Sequence, residues 1–503
     1  MKISITTKGL FDDKSSAVAL SFFQGEVKLK QIPSSWEKTL IQQIETVFSQ
    51  KDFKGELAET YLLYPVNKQL PQRILLIGLG EKKDFSWEKY RQIVAKATRR
   101  LDGTQAHSVV LALPEEKQWH DFNALKGVRE AAQTILLARY KFDHYRHATK
   151  KEEKPIKPVL LYLTRGGNKT LLEEEIEKGV IIAQSTNDAR DLINHPSNYM
   201  TPTRLAEFAS KAGDKKKLKS TILGPEQIQK LKMGGLMGVA QGSKEPARFI
   251  ILEYLPNKNL EKPLVFVGKG ITFDTGGISI KPASNMDQMK YDMSGGAAVI
   301  GALAAISRLG IKRNVVGLIP TTENMPGGHA YKPGDVLKMH SGKTVEVMNT
   351  DAEGRLILAD ALAYALKYDP AAIVDLATLT GACVVALGEF AIGMMGTDEK
   401  VLKAISQAGE NTFERVWQLP LWEDYKEQIK SNVADIQNVG GRSAGTITAA
   451  MFLKEFVDNK PWVHLDIAGT AWAEKEKPYC VKGATGVGVR LLTDLVANWK
   501  RNK

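Results

Sequence analysis

Residues 349–356 read Asn349-Thr350-Asp351-Ala352-Glu353-Gly354-Arg355-Leu356, two carboxylates and a guanidinium within five positions. Upstream stands Val267-Gly268-Lys269-Gly270-Ile271-Thr272-Phe273-Asp274-Thr275-Gly276-Gly277-Ile278-Ser279-Ile280-Lys281, followed by Met289-Lys290-Tyr291-Asp292-Met293. Four carboxylates brought together without countercharge repel one another and shift toward protonation. Two divalent cations remove that penalty: Asp274, Asp292, Asp351 and Glu353 total about −4, and some carboxylates would bridge the pair. Neither motif contains a histidine, so the ligands are hard oxygens, suited to Mg²⁺ or Mn²⁺, with Zn²⁺ tolerated once nitrogen joins the shell. Lys269 is the candidate nitrogen, as a neutral amine only. Lys281 and Arg355 then remain as cations facing the centre, able to stabilise an oxyanion on a carbonyl or to hold an anionic cofactor or general base. An Asp-x-Glu-x-Arg by itself is an ordinary capping and surface ion-pair arrangement. The glycine-rich segment carrying Lys269 and Asp274 turns the reading toward catalysis.

These groups need a rigid frame. From residue 1 to about 165, short apolar runs such as Arg73-Ile74-Leu75-Leu76-Ile77-Gly78, Ser108-Val109-Val110-Leu111-Ala112-Leu113 and Pro158-Val159-Leu160-Leu161-Tyr162-Leu163 alternate with amphipathic stretches, predicting an α/β domain over 1–165. Gly78-Leu79-Gly80 lacks the third glycine of a dinucleotide fingerprint and reads as a tight turn. After the polar segment 150–157 and the Arg165-Gly166-Gly167-Asn168 turn, a helix is predicted from about Leu171 to Ile193. It ends at Asn194-His195-Pro196, where Pro196 cannot donate a helical hydrogen bond. That gives a connecting helix over 166–195 and a second α/β domain over 196–503, with strand-like runs at 249–254, 263–268, 314–320, 373–376 and 463–467. Its sheet is expected to be mainly parallel or mixed and flanked by helices. In such an open sheet functional groups collect past the carboxyl ends of strands, and both motifs are expected there, after 264–268 and 344–348. The glycines at 268, 270, 276, 277 and 354 allow tight turns and close approach.

A chain of 503 residues with 43% hydrophobic content supports two or three domains. The segment Met1-Lys2-Ile3-Ser4-Ile5-Thr6-Thr7-Lys8 lacks a secretory apolar stretch, and no run approaches the ~18 apolar residues of a membrane span. A cytoplasmic protein with no membrane partner is expected. Its two cysteines, Cys383 and Cys480, stand apart from any CxxC or histidine and read as buried inert thiols. The net charge of +12 is diffuse. Runs such as Lys215-Lys216-Lys217 read as solvated faces, although such an excess attracts polyanions when clustered.

The combination resembles the leucine aminopeptidase, or cytosol aminopeptidase, family, whose signature Asn-Thr-Asp-Ala-Glu-Gly-Arg-Leu is present unchanged. The resemblance also covers residues 268–292, Glu323-Asn324-Met325-Pro326-Gly327-Gly328, Asp375-Leu376-Ala377-Thr378-Leu379-Thr380-Gly381 and Leu465-Asp466-Ile467-Ala468-Gly469-Thr470-Ala471, within the carboxyl-terminal three-fifths of the chain. One departure is Gly296, where the family's bacterial pattern has alanine. The resemblance implies two metal ions per subunit, one on Lys269, Asp274, Asp292 and Glu353 and the other on Asp274, Asp351 and Glu353. It implies attack by a metal-bridged water on peptides with a free amino terminus, preferably leucyl ones. Lys281 would polarise the carbonyl, Arg355 would hold a bicarbonate serving as general base, and Met289, Thr378, Gly381 and Ala468 would line the side-chain pocket. It further implies a homohexamer. Two rivals stand beside this expectation: a DNA-binding architectural or regulatory protein, alone or as a second role, and a two-metal phosphoesterase.

Overall fold

The computed structural model describes the chain except residues 1, 7–9, 12–14, 26–37, 69, 115–118, 147–157, 164–166, 215–216, 258–260 and 501–503. The polar segment at 150–157, part of the turn that follows it and Lys215-Lys216 therefore lie outside the described residues. Two compact units emerge: Met1–Gln184 with Glu476–Val481, and Ser185–Lys475 with Lys482–Lys503. The return of 476–481 to the first unit carries no sequence signal. It is fastened there by the Arg99–Glu476 ion pair and by Tyr479 Oη, which donates to Glu88 at 2.8 Å.

The first unit holds a six-stranded sheet of β1 (Ile3–Thr6), β2 (Ala17–Phe22), β3 (Thr60–Leu63), β4 (Arg73–Gly78), β5 (Val109–Ala112) and β6 (Val159–Tyr162). The order is β1-β6-β5-β2-β4-β3, parallel except for β3. Alternation sorts its side chains. Val18, Leu20, Ile74 and Leu76 meet Leu40 and Ile44 of helix α1 (Lys38–Ser49). Ala17, Ala19, Leu75 and Ile77 meet α2 (Trp87–Asp102) and α3 (Ala124–Ala138) on the other face. Gly80 has φ +74°, so the Gly78-Leu79-Gly80 segment is a turn. Helix α4 (Lys169–Asn194) carries the chain from one unit into the other and stops before Pro196.

The second unit is three-layered. Its main sheet contains β7 (Leu218–Leu223), β8 (Arg248–Tyr254), β9 (Leu264–Gly268), β10 (Gly270–Asp274), β11 (Val315–Asn324), β14 (Ala372–Ala377), β15 (Ile392–Gly396), β16 (Val416–Gln418) and β18 (Trp462–Asp466). The order is β16-β15-β18-β14-β9-β11-β8-β7, with β10 beside β11. The central strands β18, β14, β9 and β11 are parallel, whereas β15, β8 and β7 pair antiparallel with their inner neighbours. A second, three-stranded sheet is formed by β12 (Val336–Lys338), β13 (Thr344–Glu346) and β17 (Ile436–Gln437), and β19 (Trp472–Ala473) pairs with β20 (Gly483–Ala484).

The helices of this unit are α5 (Pro202–Lys211), α6 (Pro225–Lys230), α7 (Gly234–Ala240), α8 (Ser294–Leu309), α9 (Glu353–Ala365), α10 (Gly381–Leu387), α11 (Glu399–Thr412), α12 (Gly445–Lys454) and α13 (Val489–Asn498). Leu264 and Phe266 of β9 point to the face covered by α5, α8, α11 and α13, while Val265 and Val267 point to the face covered by α6, α7, α9 and α12. Strands buried on both faces explain the unbroken apolar runs in the sequence. The expected α/β class, with a mixed sheet flanked by helices, is what the chain adopts.

Candidate active site

The end of β9 delivers Lys269. Its backbone is pinned on both sides, its N–H donating to Leu376 O at 3.0 Å and its carbonyl accepting from Gly296 N at 2.8 Å. Glycine permits this approach of α8: a Cβ on Gly295 would lie 2.0 Å from Leu376 O, and one on Gly296 would lie 2.8 Å from Ile319 Cγ2. The departure at 296 thus removes a methyl group that would press on Ile319.

Residues 270–274 form β10, a strand the sequence reading leaves unassigned, and its register with β11 sets Asp274 beside Asn324. Asp274 Oδ1 accepts from Asn324 Nδ2 and from Gly276 N, both at 2.8 Å. Of the five glycines singled out from sequence, only Gly276 (φ +86°) and Gly277 (φ +67°) sit in the left-handed region. The others serve close packing, as at Gly354, whose Cβ would lie 2.4 Å from Lys269 Cε.

The second motif departs from expectation. Residues 344–346 do form a strand, β13, but it belongs to the small three-stranded sheet rather than to the main one. Alternation specifies an extended segment, not its partner. The 349–356 motif is positioned instead by the start of α9, whose first residue is Glu353. Side chains from elsewhere hold the turn: Asn324 Nδ2 and Tyr331 Oη donate to Thr350 O at 3.0 and 2.8 Å. Asn438 Nδ2 donates to Asn349 O at 2.7 Å, and Asn438 Oδ1 accepts from Met348 N at 2.8 Å. Asn324 lies in a segment already noted in the sequence. Asn438 lies in none, and only tertiary contact reveals it.

Ten of the eleven residues singled out from sequence, namely Lys269, Asp274, Lys281, Met289, Asp292, Asp351, Glu353, Thr378, Gly381 and Ala468, line one cleft of about 330 Å³. The eleventh, Arg355, is buried on α9, where Nη1 donates to Asn438 O at 2.8 Å and Nε has no hydrogen-bond partner among the described residues. Lys269 Nζ lies 2.7 Å from Asp292 Oδ2, 2.9 Å from Glu353 Oε1 and 3.0 Å from Thr378 O. Lys281 Nζ lies 2.8 Å from Asp274 Oδ2 and also pairs with Asp351. Oxygens of Asp274, Asp351 and Glu353 fall within 4.8 Å of one another.

Electrostatics follow from crowding acids out of water. Burial, reinforced by the Glu353 charge, pushes Asp274 up to about 6 against the pull of both lysines. Burial likewise raises Asp292 well above the carboxylate range and raises Asp351. For Glu353 burial acts upward too, but Lys269 and Lys281 outweigh it and hold the group low. Burial would lower Lys269, yet Asp292 and Glu353 keep its ammonium charged. Burial lowers Arg355 to about 10.

The two lysines offset only half of the formal charge on four carboxylates, and Asp274, Asp292 and Asp351 are left drifting toward protonation. A hard-oxygen set with excess negative charge and three oxygens in mutual reach fits divalent cations.

Comparison with known proteins agrees with this chemistry. A model described as "Cytosol aminopeptidase family, catalytic domain" matches residues 187–493, and its "N-terminal domain" counterpart matches 19–149. A "Probable cytosol aminopeptidase" from Nitrosospira multiformis is 43% identical over 99% of this chain and 95% of its own length. Another from Roseiflexus castenholzii is 45% identical over 92% and 94%. Among solved structures, the bottromycin maturation enzyme BotP superposes with a TM-score of 0.83 at 30% identity, over 96% of this chain and 99% of that one. A structure of that enzyme in complex with Mn matches equally well.

Proposed function

The chain belongs to the cytosol aminopeptidase family, and on that footing we propose a two-metal aminopeptidase that releases amino-terminal residues, leucine preferentially, from peptides. The observation that carries this reading is the convergence of Asp274, Asp292, Asp351 and Glu353 from separate elements around one cleft with Lys269 and Lys281. Metal-dependent aminopeptidase chemistry is the family's. The finer assignments are our reading.

Asp274, Asp351 and Glu353 would hold one ion, and Lys269, Asp274, Asp292 and Glu353 the other, with Mn²⁺ or Zn²⁺ the favoured occupants and Mg²⁺ compatible with the oxygens. Bound ions would supply Lewis acidity toward the scissile carbonyl and activate a bridging water. Lys281 reaches the same carboxylates from the cleft side and would donate to the oxyanion that develops on the carbonyl. Arg355 Nε, without a hydrogen-bond partner among the described residues, would be open to a small anion such as bicarbonate. Met289, Thr378, Gly381 and Ala468 would shape the pocket for the released side chain. Among the described residues no helix is long and apolar enough to cross a membrane, and we place the protein in the cytoplasm as a homohexamer. The DNA-binding alternative gains no support from the matched families or relatives.

The test is hydrolysis of leucine amide under metal-replete conditions. Wild-type cleavage is expected, with at least a hundredfold loss in Glu353→Gln and Asp274→Asn. Near wild-type rates in either variant would refute the assignment. Amino-terminally acetylated peptides should resist cleavage.

A further inference from the structure

Asp466 is an acid that the site does not use. It ends β18, is 1% exposed, and lies opposite Ala377 at the end of β14. Its carboxylate accepts three hydrogen bonds: Leu379 N (3.2 Å) and Ala468 N (3.1 Å) on Oδ1, and Thr380 Oγ1 (2.7 Å) on Oδ2. Leu379 and Thr380 belong to the loop after β14, and Ala468 to the loop after β18; all three line the cleft. The same β14 loop touches the carboxylate cluster through Thr378, whose Oγ1 donates to Asp292 Oδ1 at 2.7 Å.

A buried carboxylate is costly unless its lone pairs and charge are answered. Below Asp466 on β18 stands His464, fully buried, with Nδ1 at 2.6 Å from Asp375 Oδ1, while Trp462 Nε1 donates to Asp375 Oδ2 at 2.7 Å. His464 and Arg355 both act electrostatically on Asp466. Asp375, His464, Asp466 and Arg355 thus form a string of buried polar side chains behind the cleft wall, which an apolar strand end would not need.

We propose that Asp466 is a positioning residue: its carboxylate ties the loop after β14 to the loop after β18, fixing Gly381 and Ala468 relative to each other and so the width of the side-chain pocket. The inference rests on the aminopeptidase reading and adds to it the group that sets pocket geometry. Asp466→Ala cuts the tie. Asp466→Asn keeps it, because Oδ1 still accepts both N–H groups and Nδ2 can donate to Thr380 Oγ1. Thr380→Val removes one of the three bonds together with the cap that Thr380 provides to Cys383 N at 3.1 Å, and Thr380→Ser keeps both.

The experiment measures kcat/KM for the amides of glycine, alanine, leucine and phenylalanine, and metal content, in the metal-loaded full chain. In Asp466→Ala the spread of kcat/KM across the four amides is expected to narrow about tenfold, with metal stoichiometry unchanged and Asp466→Asn restoring most of the spread. Thr380→Val narrows it less and Thr380→Ser preserves it. A wild-type spread in Asp466→Ala, or a uniform loss that follows loss of metal, overturns the inference. Should Asp466→Ala fail to fold, equal spreads in Thr380→Val and Thr380→Ser overturn it. Wild-type protein that cleaves no amide overturns the peptidase reading and this inference with it, whereas wild-type cleavage with unaltered spreads in the variants overturns this inference alone.

Discussion

Gly354→Ala inverts the usual rule that alanine improves a helix. In an exposed helix interior the change gains about 1 kcal/mol. Here the added Cβ would lie 2.4 Å from Lys269 Cε, 2.7 Å from its Nζ and 2.8 Å from its Cδ, against an ordinary carbon contact of about 3.5–4.0 Å. Lys269 must therefore retreat by roughly 1 Å, and it is no free end. Its Nζ is held by Asp292 Oδ2 at 2.7 Å, Glu353 Oε1 at 2.9 Å and Thr378 O at 3.0 Å. Hydrogen bonds to charged groups contribute about 1.5–3 kcal/mol each, and overpacking by one methyl costs about 1–3 kcal/mol. Losing the equivalent of one such bond while overpacking outweighs the helix gain, so a net destabilisation of about 2–4 kcal/mol is expected. Displacing a ligand of the proposed centre should also weaken Mn²⁺ binding about ten- to hundredfold and lower kcat/KM on leucine amide roughly a hundredfold. Calorimetric titration of chelator-treated protein, denaturant unfolding and amide hydrolysis measure the three quantities. Wild-type metal affinity and turnover in Gly354→Ala would refute the packing argument and the role assigned to Lys269 together.

Asn324→Ala should lower metal affinity about tenfold or more, because Asp274 loses the amide donor that fixes its rotamer; unchanged affinity in a titration would exclude that role. For Asp274, raised to about 6 when no metal is bound, the folded state binds the proton more tightly than the unfolded chain. Its contribution to stability is therefore complete below the ordinary carboxylate value and lost as pH rises through about 6. Cations compete with that proton, so Mn²⁺ affinity should fall at least about tenfold between pH 7.5 and pH 5, and a flat profile would count against it. Cys383 is buried with its thiol pushed up to about 12 by burial and the Asp466 charge. Iodoacetamide at pH 8 should leave it unmodified until the protein is denatured, and rapid native labelling followed by mass spectrometry would contradict the structure.

The sequence by itself determined which metal-ligating groups are available and the class of fold. Acid and lysine types at fixed spacing bring oxygen and nitrogen donors wherever they fold, and apolar runs such as 264–267, alternating with helix-like stretches, match strands buried on both faces, so the cation-binding reading and the α/β architecture were legible from residue types and pattern. Local pattern also marked α4 through Pro196, because a missing N–H ends a helix in any context. Partnership was decided by tertiary structure. The extended segment before Asp351 joins a small separate sheet, residues 476–481 return to the first unit, and β10 exists because β11 offers it an edge. Asn438, Tyr331 and Asp466 bond across long stretches of sequence, where nothing in their own neighbourhoods signals the contact. Strand pairing and long-range hydrogen bonds depend on which surfaces meet, and that is a property of the packed molecule rather than of any local stretch of chain.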